Sequence, residues 1–126
     1  MLTELQSLQE YTDCIEEVKR FIRDHLQESL DRERLAAVAG FSIPHFHRVF
    51  TAQVGESAAS YIRRQRMERA GRKLRMGAVD ITEVALAAGY ESHAAFSKAF
   101  KGQFGVSPSE FRQLGCRAAT QLLRKG

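Results

Sequence analysis

The chain has 126 residues, 44% hydrophobic and 27% charged, and its 19 basic against 15 acidic side chains give a net charge of +4. That length suits one domain or two very small ones, with apolar content enough for a core, and no apolar run approaches the ~20 residues that span a bilayer. With 2 prolines, no tryptophan and 2 cysteines (Cys14 and Cys116), there is no disulfide framework and few β-branched runs, so an all-α fold with reduced thiols is expected. The N-terminal stretch M-L-T-E-L-Q-S-L-Q-E has neither the basic nor the apolar segment of a secretory signal, and a cytoplasmic location follows as an expectation.

Residues 1–11 are polar with scattered leucines and read as a loose arm or a frayed turn. A first helix is expected from Asp13, with Glu16 three residues on as in a capping box, and with Ile15, Val18, Ile22 and Leu26 as its apolar stripe. Residues 1–34 hold nine acids and five bases, which argues against a DNA-contacting surface at this end. Asp31 starts a short helix that turns Leu35, Ala36, Val38 and Ala39 inward and stops at Gly40. Ser42 caps the next helix, Pro44 is tolerated in its first turn, Phe46, Val49, Phe50 and Val54 form its buried side, and Gly55 ends it. Two short helices joined by a tight glycine turn, the second with an exposed polar face, predict a helix-turn-helix.

From Ser57 to Met76 the pattern is helical and strongly basic. Arg63, Arg64, Arg66, Arg69, Arg72, Lys73 and Arg75 are opposed by Glu68 alone, so the positive charge of the chain is concentrated here. Met67, Ala70 and Leu74 make a stripe expected to fix this helix to both halves of the chain. Taken alone, the basic face is a solvated one; between two reading helices, phosphate contact by a subset such as Arg63 and Arg66 is the better expectation. Gly77 breaks the pattern. Asp80 and Glu83 then open a helix bearing Ile81, Val84, Ala85 and Ala88, which ends at Gly89. Ser92 caps a further helix with Phe96, Phe100 and Phe104 inward, and Gly105 ends it. Ser107-Pro108-Ser109-Glu110 starts a short helix anchored by Phe111 and Leu114. The expected organisation is a helix-turn-helix subdomain over 1–56, a connecting helix over 57–76, a second helix-turn-helix subdomain over 77–114 and a C-terminal tail over 115–126, about seven helices in all.

The second half repeats the first. Gly40-Phe41 corresponds to Gly89-Tyr90, and after one inserted residue Phe46, Phe50, Gly55, Ser57 and Tyr61 match Phe96, Phe100, Gly105, Ser107 and Phe111. Amphipathicity alone does not produce that set, and two tandem helix-turn-helix units joined by a long central helix are expected. A helix of ~20 residues spans ~30 Å, close to the ~34 Å between successive faces of the major groove, so one chain is expected to place two readers on one duplex and to recognise an asymmetric site as a monomer.

The stretch I-T-E-V-A-L-A-A-G-Y-E-S-H-A-A-F-S-K-A-F-K-G-Q-F-G-V-S-P-S-E-F-R from Ile81 to Arg112, with L-A-A-V-A-G-F-S-I-P-H-F-H-R-V-F in the first half, resembles the AraC/XylS family of bacterial transcription regulators. The resemblance covers about Ile15 to Arg112. It is nearest to DNA-binding domains that precede a gyrase-inhibitor-like effector domain and to stand-alone regulators of the MarA/SoxS/Rob type. It implies a first recognition helix over Ser42–Gln53, with Pro44, His47 and Arg48 facing bases and His45 on the flank, and a second over Ser92–Gln103, with His93, Ala94, Ala95 and Lys98 outward. Arg48 is the residue expected to grip a guanine. Ala94 and Ala95 cannot hydrogen-bond a base edge, so the second helix is expected to add affinity through Lys98, Lys101 and helix N-terminal amides. Ser42, Ser57, Arg63, Arg66, Ser92, Ser97 and Lys101 are the expected phosphate contacts. Activation through RNA polymerase at the nucleoid is a further implication. Two rivals stand beside this reading: the DNA-binding half of a larger ligand-responsive regulator, and a helical protein-interaction module without specific DNA binding.

Other chemistry finds little support. His45 and His47 are two apart, so they do not face together as metal ligands at i, i+4 would, and His25 reads as a surface residue. No phosphate-binding loop, nucleophile motif, paired carboxylates or HExxH pattern occurs. No enzyme activity, metal or cofactor is expected.

Overall fold

The computed structural model describes residues 2–76 and 80–125. Among them lie eight helices and no strand: α1 Leu2–Asp24, α2 Arg32–Ala39, α3 Ile43–Val54, α4 Ala58–Leu74, α5 Ile81–Ala87, α6 His93–Phe104, α7 Pro108–Gln113 and α8 Cys116–Lys125. The count is one more than the seven expected, because the last residues are helical as well. Gly77, expected to end the basic helix, lies outside the described residues. The helices fall into two compact units, Met1–Arg63 and Arg64–Gly126.

In the first unit, α1 begins far earlier than Asp13. Asp13 is an exposed residue in mid-helix, where Gln9 Nε2 donates to its carboxylate at 2.9 Å. The extra turns are held by tertiary contacts. Thr12 Oγ donates to the Leu8 carbonyl at 2.9 Å and lies 3.2 Å from Gln53 Oε1 on α3. The Tyr11 ring stands edge-on to Phe41 at 5.8 Å and to His45 at 5.6 Å. The predicted stripe of Ile15, Val18, Ile22 and Leu26 is buried, and it meets Leu35, Ala36 and Ala39 of α2 and Phe46, Val49 and Phe50 of α3. His25 is half-buried rather than on the surface: its ring stacks on Phe21 at 4.0 Å and its Nδ1 is 2.7 Å from the Phe21 carbonyl. Arg34 lies over the same Phe21 ring at 5.0 Å and pairs with Glu28 at 2.9 Å.

The turn between α2 and α3 shows why Gly40 stands there. Its φ of +76° is left-handed, which costs a residue with a Cβ about 1–2 kcal/mol. In that conformation the chain doubles back and the Phe41 N–H donates to the Ala36 carbonyl at 3.0 Å. The second unit repeats the device: Gly89 has φ +93° and the Tyr90 N–H donates to the Ala85 carbonyl at 3.0 Å. The caps repeat as well. Ser42 Oγ accepts the His45 N–H at 3.4 Å and Ser92 Oγ accepts the Ala95 N–H at 3.1 Å.

The aromatic ladder that fills each core is also duplicated. Phe46–Phe50 and Phe96–Phe100 each have ring centroids 5.6 Å apart, at 47° and 50°. Phe50–Tyr61 and Phe100–Phe111 close the ladders at 5.7 and 5.3 Å, both at 70°. The internal repeat is therefore a repeat of geometry at these positions, while Phe104, 4.6 Å from Phe100, stands where the first half has Val54.

The residues of α4 are divided between the two cores. Ala58, Tyr61 and Ile62 are buried in the first; Met67, Ala70 and Leu74 are buried in the second only, not in both as the stripe suggested. In the second unit the segment expected as a tail forms α8, which buries Ala119 and packs Leu122 and Leu123 against the core. Gly71 of α4 accommodates it: a Cβ there would sit 2.7 Å from Leu123 Cδ2. Two arginines tie the end of α4 to α7. Arg75 donates to the Phe111 and Leu114 carbonyls, and Arg112 Nε donates to the Leu74 carbonyl at 3.3 Å.

Candidate nucleic-acid interface

Each unit carries a twelve-residue helix, α3 or α6, with one face in the core and the other outward. A period of 3.6 residues puts Pro44, His47, Arg48, Thr51 and Ala52 on the outward face of α3, and all five are exposed. Thr51 was not among the sequence-derived candidates; its place one turn beyond His47 was the signal available. In α6 the outward residues are His93, Ala94, Ala95, Lys98, Lys101 and Gly102, all exposed, with Ser97 half-buried.

The repeat aligns these faces at a constant offset, so Pro44 corresponds to Ala94, His45 to Ala95, His47 to Ser97, Arg48 to Lys98 and Thr51 to Lys101. Both units thus place a cation in the second turn of the outward helix. Neither Arg48 nor Lys98 makes a hydrogen bond, ion pair or ring contact among the described residues. A guanidinium offers a planar fork of donors and an ammonium a compact point charge, so the equivalent positions are chemically unequal.

His45 differs from its neighbours. It is half-buried, and its ring packs 4.6 Å from Phe41 and 5.6 Å from Tyr11, which fixes it against α1. Ala95 at the equivalent place carries no ring to pack and is exposed.

Of the expected phosphate-contacting residues, Ser42, Ser57 and Ser92 cap helices, as Ser107 outside that set also does, Arg63, Arg66 and Lys101 are cations, and Ser97 lies within α6. The hydroxyls of Ser42, Ser57, Ser92 and Ser107 each accept a backbone N–H in the first turn of their helices, Ser57 from Ser60 at 3.1 Å and Ser107 from Glu110 at 3.1 Å. Arg63 is exposed and makes no interaction among the described residues, whereas Arg66 is half-buried and does interact within the protein. Arg64 is bound to Glu68 at 3.0 Å, and Arg75 to the carbonyls at the end of α7. Of these four arginines, Arg63 is therefore the one left free to face a polyanion. No described cluster of His, Cys, Asp or Glu is placed to hold a metal ion, and no described helix is long and apolar enough to cross a membrane.

Known proteins share this fold. A family profile described as a helix-turn-helix domain matches residues 35–114. The uncharacterized HTH-type transcriptional regulator YbfP of Bacillus subtilis is 35% identical over 102 residues, 81% of this chain but 35% of its own length. The HTH-type transcriptional activator AarP of Providencia stuartii is 32% identical over 101 residues, 80% of this chain and 75% of its own. The DNA-binding domain of the global transcriptional factor AdpA, solved in complex with a target DNA, superposes with a TM-score of 0.69 at 34% identity, covering 78% of this chain and 88% of that one. With the duplicated turns, caps and aromatic ladders, these matches show that the chain belongs to the AraC-type helix-turn-helix family of DNA-binding transcription regulators.

Proposed function

We propose that the chain reads double-stranded DNA in two adjacent major-groove segments, with α3 as the specific reader and α6 as the weaker one. The observation that carries this reading is the pair Arg48 and Lys98, equivalent in the repeat, both exposed and without a partner among the described residues. Arg48 grips a guanine through its two parallel donors, and His47 and Thr51 face the neighbouring bases. On α6, Ala94 and Ala95 offer no hydrogen bond to a base, so Lys98 and Lys101 act on phosphates. Pro44 fills space or touches a thymine methyl, and the half-buried His45 holds the entrance of α3 at the edge of the groove. The capped N-termini of α3 and α6 present their remaining amides to the backbone of the duplex.

The two readers differ in side chains, so the site is asymmetric and needs only one copy of the chain. Nothing in this role calls for bond-making chemistry or a cofactor. The activator named among the relatives supports activation, which requires contact with RNA polymerase on DNA in the cytoplasm, at the nucleoid. Selection of bound duplexes from a random pool tests the reading. It should yield a non-palindromic site bound at least ~10³-fold more tightly than random DNA at ~150 mM salt. No enrichment would favour a protein-interaction module instead.

The fraction of YbfP covered, 35%, favours a second reading in which the same DNA-binding part serves a longer regulator. The full reading frame decides this, since a sensor adds ~150 residues.

A further inference from the structure

A groove of about 360 Å³ opens beside the reading helix in the first unit, between α1 and α3. Its apolar walls are Leu8 and Tyr11 from α1 and Val49 and Ala52 from α3. Arg48, His45 and Gln53 complete it. Three features make it more than a gap between helices. Leu8 is 55% exposed, an apolar side chain turned to solvent at the rim. The Tyr11 and His45 rings are held edge-on, 5.6 Å apart, and so form a preset aromatic wall. Arg48 is the one arginine or lysine among the described lining residues, and no carboxylate or carbonyl of the described residues engages it.

An apolar, partly aromatic slot with one unpaired guanidinium at its edge is complementary to a flat hydrophobic body carrying a single carboxylate. We propose that this groove binds a small aromatic monocarboxylate, its ring against Leu8, Tyr11 and Ala52 and its carboxylate paired with Arg48. The equivalent positions of the second unit are chemically different, with Ala95 in place of His45 and Lys98 in place of Arg48. The consequence for regulation rests on the DNA-reading role proposed above. Arg48 cannot pair with a carboxylate and a guanine at once, so ligand and DNA compete for one side chain and the protein needs no separate sensor to be ligand-responsive.

The test uses 2-naphthoate as the probe and the neutral 2-naphthylmethanol as its control. Titration of the DNA-free chain, followed by ¹H–¹⁵N NMR, should give saturable shifts at Leu8, Tyr11, Val49, Ala52 and Gln53. A Kd on the order of 1 mM or tighter is expected for a ligand of this size. The neutral alcohol and the Arg48→Gln variant should each bind at least about tenfold more weakly, in line with loss of a charge-assisted pair. Leu8→Gln, on the exposed rim of α1, should weaken naphthoate binding at least about tenfold and leave DNA affinity unchanged, since it removes apolar wall without adding a charge beside Arg48. Naphthoate should then weaken binding of the selected duplex to the native chain and much less to Leu8→Gln. Absence of saturation, equal binding of the alcohol, or shifts spread outside the groove would overturn the site. Binding without any effect on DNA would overturn the competition. The ligand titration contains no DNA, so its outcome is independent of whether the DNA reading holds.

Discussion

Arg48→Ala and Arg63→Ala separate reading from attachment. Both side chains are exposed and neither has a partner among the described residues, so their removal should leave stability within about 0.5 kcal/mol of the native chain. Whatever DNA affinity is lost then belongs to the DNA contact alone. A bidentate arginine–guanine pair discriminates by about 1–3 kcal/mol, which at 25 °C is ~5- to ~150-fold. For Arg48→Ala that loss should fall on the selected site and vanish on a duplex already substituted at the base pair Arg48 reads. For Arg63→Ala the loss should be the same on every duplex, and the slope of log K against log salt should become shallower by ~0.9, one phosphate. Fluorescence anisotropy with the selected site, a series of single-base variants and random DNA, each at four salt concentrations, measures both. Uniform weakening by Arg48→Ala, with a shallower salt slope, would mean that Arg48 binds phosphate and that α3 is not read as argued.

The remaining predictions concern what holds the readers in place. Ser42→Ala and Ser92→Ala each remove a cap worth ~1 kcal/mol, and because the Ser92 bond is shorter, 3.1 against 3.4 Å, the loss by urea denaturation should be larger at Ser92. Gly40→Ala should cost about 1–2 kcal/mol and Gly40→Asn less, since nothing lies within 4 Å of an added Cβ and the penalty is one of backbone alone; equal losses would show that another contact decides. Removal of residues 115–126 strips Ala119, Leu122 and Leu123 from the second core and should destabilise it by ~2–3 kcal/mol, with amide exchange accelerated in α6 and α7 and unchanged in α2 and α3.

Much of this fold was legible from punctuation. Ser42, Asp80, Ser92 and Ser107 announced helix starts, Gly40, Gly89, Gly55 and Gly105 announced ends, and the spacing of four between phenylalanines named the buried faces. These signals are local, and the physics behind them acts within a turn or two. The extension of α1 had a signal that was easily missed, Leu8 and Tyr11 continuing the three-four spacing of Ile15, Val18 and Ile22 with polar residues between them; the observed partners of Tyr11 and Thr12 are Phe41, His45 and Gln53, far along the chain. For α8 the signal existed in Ala119, Leu122 and Leu123, but a ten-residue segment after Gly115 has no local reason to be more than a fraying end until the core beside Gly71 receives it. At the candidate site, the outward positions followed from periodicity, whereas the wedging of His45 and the engagement of Arg66 depend on neighbours that only the folded chain brings near.

The two aromatic ladders end on different rings, and that difference bears on how the duplicated halves can still exchange parts. Tyr61 offers its hydroxyl to Arg23 of α1 at 3.5 Å, while Phe111, fully buried, lies under the Arg75 guanidinium at 6.0 Å from its ring centre. Each closing contact therefore recruits an arginine from outside the repeated segment. A recombination event that copied one half over the other would carry the ring without its arginine. A tyrosine at the second position would bring a hydroxyl into a fully buried place, and a phenylalanine at the first would remove the Tyr61 acceptor of Arg23. These two closures give a physical reason for the duplicated halves to keep different closing rings rather than be homogenised.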